Sequence, residues 1–161
     1  MRLSQGGFRF AETMAGTAII HGQRRDMHFD IEARCDNVWD YLRTGHTTIR
    51  GTVTVAGLAE QSSLHGNLWI RPILGRSIRY EFRFCDHGGR PLVFFGEKHL
   101  RLLHLPTTLT TLPGEIRDEA GRPVAEAALR FPMSTLRAFL TSFRPLISVH
   151  PASCPPSPSH S

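Results

Sequence analysis

Hydrophobic and polar residues alternate with a period of two through most of residues 8–132, the spacing expected of strands that bury one face. The clearest stretch is 77–85, where Ile78, Tyr80, Phe82 and Phe84 share one side and Arg79, Glu81 and Arg83 the other. Residues 27–35 repeat the pattern, with Met27, Phe29, Ile31, Ala33 and Cys35 set against His28, Asp30, Glu32 and Arg34. Further strands are predicted over 8–20, 47–56, 63–71, 92–102, 107–112 and 124–131, which makes eight.

Turn chemistry fills the gaps between them. Asp86-His87-Gly88-Gly89-Arg90-Pro91 separates two strong strands, and Asp118-Glu119-Ala120-Gly121-Arg122-Pro123 repeats the arrangement; such glycines supply the positive φ that tight hairpins need. Connections this short favour neighbouring antiparallel strands, because a parallel crossover needs a dozen or more residues. A short helix is predicted near 36–44, with Asp36 as its cap, Val38, Tyr41 and Leu42 on one face to cover one end, and Gly45 to stop it. A second, amphipathic helix is predicted from Ser134, with Leu136, Phe139, Leu140 and Phe143 in a stripe that Pro145 terminates. The expected organisation is a single domain over 1–149 followed by a disordered Pro/Ser-rich tail at 150–161.

The fold class is therefore all-β: an eight-stranded antiparallel barrel, calycin- or lipocalin-like, or else a two-sheet sandwich. Closure favours the barrel because it removes exposed edges, and a barrel of this size either fills with side chains or holds one small ligand. Two residues break the alternation rule. Glu12 shares a face with Phe8, Phe10, Met14 and Gly16, and Lys98 shares one with Leu92, Phe94, Gly96, Leu100 and Leu102. Burying an unpaired charge is costly, so the pair is expected either to meet inside the barrel or to bind the polar end of a ligand together. The competing reading puts both near barrel ends, with lysine reaching solvent along its alkyl stem.

Composition narrows the classes of function. The chain has 161 residues, 40% hydrophobic and 20% charged, with a net charge of +5. Its 19 basic residues include one lysine, Lys98. The arginines are scattered and often near acids, and no recognition helix or base-stacking motif appears, so nucleic-acid binding is disfavoured. No apolar run reaches the ~18 residues of a membrane span, and no membrane partner is expected. Cys35, Cys85 and Cys154 stand apart in no metal-binding spacing, and they read as reduced thiols of a cytoplasmic protein. No dinucleotide, P-loop, serine-hydrolase or zinc-protease motif is present, so no cofactor, metal or catalytic set is assigned. A catalytic Lys98 is disfavoured because a nearby glutamate holds an amine in its charged form.

At Phe10-Ala-Glu-Thr-Met-Ala-Gly16, Gly51-Thr-Val53, Tyr80-Glu-Phe-Arg-Phe84 and Gly96-Glu-Lys98, with the threonine-rich stretch at 107–111, the sequence resembles a bacterial accessory β-domain. That domain accompanies glucose-methanol-choline-type flavin oxidoreductases of the cholesterol-oxidase kind. The likeness covers roughly 8–146 and includes none of the flavin-binding region. It implies an accessory role beside a lipid-oxidising or sterol-oxidising enzyme, and it points to Glu12, Gly16, Gly51, Gly96 and Lys98. The leading expectation is a non-catalytic barrel that binds an apolar or amphipathic small molecule or serves such an oxidoreductase. Phe10, Met14, Phe29, Ile31, Leu68, Tyr80, Phe82, Phe94 and Leu100 would form the wall, and Glu12 and Lys98 would orient the polar end. The alternative is a protein–protein interaction module with a filled core, and a small enzyme using Lys98 and Glu12 ranks last.

Overall fold

In the computed structural model, which describes residues 6–71, 77–99, 111–131 and 144–146, the alternating stretches are strands, each antiparallel to the next. They are β1 (Gly7–Ile20), β2 (Gln23–Cys35), β3 (His46–Val55), β4 (Ala59–Arg71), β5 (Ser77–Cys85), β6 (Pro91–His99), β7 (Thr111–Asp118) and β8 (Pro123–Arg130). Consecutive strands pair in order, and β8 then pairs with β1 through Ala15–Ile19, closing an eight-stranded up-and-down barrel. This outcome removes the sandwich alternative. Burial follows parity: Met27, Phe29, Ile31, Ala33 and Cys35 of β2 and Tyr80, Phe82 and Phe84 of β5 all face the core.

The barrel has two unlike ends. At one, β1–β2, β3–β4, β5–β6 and β7–β8 are joined by short turns. His21 and Gly22 both adopt positive φ, at 49° and 76°, the geometry that a two-residue hairpin requires. The repeated Asp-x-x-Gly-Arg-Pro turns fold alike. Asp86 accepts from the backbone N–H groups of Gly88 and Arg90, and Asp118 accepts from that of Arg122. Each aspartate also takes the Nε–H of its own arginine, at 3.2 and 3.1 Å. Of the paired glycines at 88 and 89, only Gly89 has positive φ. At the opposite end lie the helix α1 (Val38–Thr44) and the strand ends that lead in sequence into the long connections 72–76, 100–110 and 132–143, which are outside the described residues.

Three expectations are corrected. The seventh strand, predicted over 107–112, continues to Asp118, while 107–110 lie outside the described residues; Pro113 and Gly114 lie inside it, and the Phe94 ring occupies the space that a side chain at Gly114 would need, 2.6 Å from its Cβ position. The cap of α1 is Asn37 and not Asp36, its side chain accepting from the Trp39 N–H at 2.9 Å. Asp36 instead pairs with Arg34 at 2.7 Å. Leu42 is 67% exposed and does not join Tyr41 in covering the barrel end; Tyr41 alone meets Phe8, edge-on at 5.0 Å. Gly45 ends the helix in the left-handed region as expected. A ninth strand, β9 (Arg144–Leu146), was not anticipated, and it pairs with Gly7–Arg9. The amphipathic helix from Ser134, the wall position Leu100 and the tail at 150–161 lie outside the described residues.

Candidate functional site

Glu12 and Lys98 are the only buried charged side chains among the described residues, at 9% and 5% exposure. Strand parity alone turns them inward. β1 brings Glu12 between Phe10 and Met14, β6 brings Lys98 two positions beyond Gly96, and all three of these neighbours are buried. Across the barrel from Glu12 lies Tyr80 of β5, whose hydroxyl is 2.9 Å from both Glu12 carboxylate oxygens and donates to them. Tyr80 pairs in register with Gly96, and Ile78 with Lys98. The three polar groups occupy the half of the barrel nearer the long connections.

Their ionisation is coupled. Burial pushes the Glu12 carboxyl above its ordinary value, while the Lys98 charge and the Tyr80 hydrogen bond pull it back. Burial likewise pushes Lys98 down, and Glu12 opposes the fall. Tyr80 is driven well above its ordinary range by burial, then by the charge of Glu12 and by the bond it donates to it. The signs fix the pH response. A raised carboxyl makes the fold lose stability as pH climbs from 4.5 through the raised value, whereas a lowered lysine penalises the fold below its own value and relaxes toward 10.5. The set can hold a polar or charged group away from water, with burial favouring the neutral amine and Glu12 opposing it.

The aromatic wall positions meet each other. Phe82 and Phe94 stack at 4.8 Å, and Phe29 lies edge-on to them at 5.2 and 5.9 Å and 5.9 Å from Tyr80. Rings therefore fill the barrel at this level, one step closer to the short turns than the polar set. Phe10, Met14, Ile31 and Leu68 are also buried on the inner face. Sequence reading placed Tyr80 among apolar wall residues and missed its polar role. The available signal was its hydroxyl, since a buried phenol nearly always finds a partner, and Glu12 was the unmatched acceptor on the inner face. Tyr80→Phe is expected to destabilise the protein by about 1–2 kcal/mol at neutral pH and to raise the Glu12 value further, read by chemical denaturation and by carboxyl titration in NMR.

A cleft of about 730 Å³ lies on the outer wall across β5 to β8. Both of its arginines are already engaged: Arg117 pairs with Glu115 and lies over the Phe95 ring at 5.8 Å, and Arg79 pairs with Glu81 at 3.3 Å. No group of three or more metal-ligating side chains occurs among the described residues, and none of their helices is long and apolar enough to cross a membrane. Cys35 and Cys85 are free thiols. Comparison of the chain with protein-family models, with curated proteins and with solved structures yields no match.

Proposed function

We propose that the protein binds a small amphipathic molecule without transforming it, taking it in at the end of the barrel that carries the long connections. The observation that carries this reading is the shielded carboxylate, phenol and ammonium of Glu12, Tyr80 and Lys98 in an interior that is otherwise apolar. Binding sites of this class are mostly apolar with a few convergent polar groups. Because Phe29, Phe82 and Phe94 occupy the middle of the barrel, the ligand is short, and its apolar part rests against side chains nearer the long-connection end such as Phe10. In its accessory form, the barrel presents a short lipid-like substrate to a flavin oxidoreductase.

Thermal denaturation with a panel of fatty acids, sterols and smaller amphipathic acids and amines tests this. A ligand at about one hundred times its dissociation constant stabilises the native state by about 2.7 kcal/mol, a rise in melting temperature of roughly 5–10 °C for a chain of this size. Glu12→Gln or Lys98→Met should abolish the shift. A panel with no shift removes the proposal and leaves the second reading, an interaction module with a filled core, which the packed ring cluster favours.

A further inference from the structure

Three arginines stand side by side on the outer wall at the long-connection end. Arg34 of β2 lies directly opposite Arg9 of β1, and Arg9 directly opposite Arg144 of β9. All three are exposed. Arg34 is bound to Asp36, but Arg9 and Arg144 make no ion pair among the described residues. Like charges set directly opposite across strands repel, so the row is unfavourable until an anion covers it.

Beside the row, α1 holds Trp39 at 60% and Leu42 at 67% exposure, the two most exposed large hydrophobic side chains among the described residues. The helix is tied to the start of β1, because the Val38 N–H donates to the Gly6 carbonyl at 3.1 Å and Tyr41 packs on Phe8. The arginines and the apolar pair therefore belong to one end of the barrel. Three acids lie nearby: Asp36 and Asp40 are paired with Arg34 and Arg43, and Glu32, two positions from Arg34 on the same face of β2, stands directly opposite Arg50 of β3.

We infer that this end of the barrel docks on an anionic lipid surface, with Arg9, Arg34 and Arg144 on phosphate headgroups and Trp39 and Leu42 at the boundary with the acyl chains. Charge complementarity selects an anionic partner, and the exposed indole beside an aliphatic side chain selects lipid, since such pairs enter the headgroup region of a bilayer. A nucleic acid would use the arginines but gain nothing from Leu42. Peripheral docking of this kind needs no spanning segment, so it lies beyond the sequence-based expectation of no membrane partner, which rested on the lack of an apolar run. It also requires no ligand inside the barrel, so it stands or falls separately from the proposed function.

Cosedimentation of the full chain with phosphatidylcholine vesicles, with and without phosphatidylglycerol, tests the inference. Binding only to the phosphatidylglycerol-containing vesicles, weakened by salt, is expected. Arg9→Glu and Arg144→Glu should each lower the affinity by at least about tenfold. Trp39→Ser should weaken binding and remove the blue shift of tryptophan emission on vesicle addition. Arg9→Glu also sets a carboxylate between Arg34 and Arg144, so its melting temperature should equal or exceed that of the parent, which separates lost docking from lost folding. The inference is overturned by absence of binding to either vesicle or by binding indifferent to these substitutions. Arginine-dependent binding to a DNA duplex that matches the vesicle affinity and ignores Trp39→Ser overturns it as well.

Discussion

Lys98→Met is expected to lower the unfolding free energy by about 2–3 kcal/mol at neutral pH, because it strands the buried Glu12 carboxylate without the opposite charge that offsets its desolvation. The magnitude has a natural ceiling. Glu12 can escape by taking up a proton, and holding a carboxyl of ordinary value 4.5 protonated at pH 7 costs about 3 kcal/mol. The deficit should therefore shrink as the pH falls toward 4.5, where the unfolded carboxyl is protonated too, and grow as the pH rises, levelling off above the further-raised value of Glu12. Adding Glu12→Gln removes the stranded charge and should restore much of the loss, with a flat pH profile. Urea denaturation of the single and double variants at pH 5 and pH 7, on the scale of about 1 kcal/mol or better, reads all of this. A Lys98→Met protein as stable as the parent at neutral pH would mean that the two groups do not depend on each other.

Gly51→Ala should be more disruptive still. Gly51 sits on the inner row of β3 opposite Ile31, and a Cβ there would overlap the Asp30 carbonyl oxygen of β2. The obstacle is backbone in the barrel wall and not the tip of a side chain, so relief requires moving a strand. Glycine is the residue that permits so close a backbone approach, as at the corners of a closed sheet. A loss of more than about 3 kcal/mol, or failure to fold, is expected. Gly22→Ala provides the contrast. Nothing lies within 4 Å of its Cβ position, and only its positive φ of 76° is at stake, which is worth about 1 kcal/mol. Matched denaturation curves for the two variants decide the point, and similar midpoints would contradict the close-approach assignment.

Much of the barrel was legible because it depends on local signals. Parity in β2 and β5 survives folding unchanged, and parity is also what turns Glu12 and Lys98 inward. The two Asp-x-x-Gly-Arg-Pro turns carry their geometry in their own residues. What could not be read depends on partners distant in the chain. Closure rests on Ala15–Ile19 meeting 126–130, and nothing in either stretch names the other. β7 was ended too early because Pro113 and Gly114 read locally as breakers, while the Phe94 ring on β6 is what makes Gly114 suitable there. The role of Tyr80 depended on a carboxylate 68 residues away in the chain. The arginine row is likewise invisible along the sequence, since its members lie on β1, β2 and β9.

The seam between β1 and β8 has a consequence for how the barrel assembles. Every other junction in the ring joins strands adjacent in sequence, and the β1–β2 ladder alone matches thirteen residue pairs, whereas the seam matches five between opposite halves of the chain. Zippering can spread hairpin by hairpin from any of the short turns, but the ring cannot shut until the first and last long strands find each other across the largest loop. That step sets the folding rate, and amide protons at Ala15–Ile19 and 126–130 are the ones that should exchange first when the native ring briefly gapes.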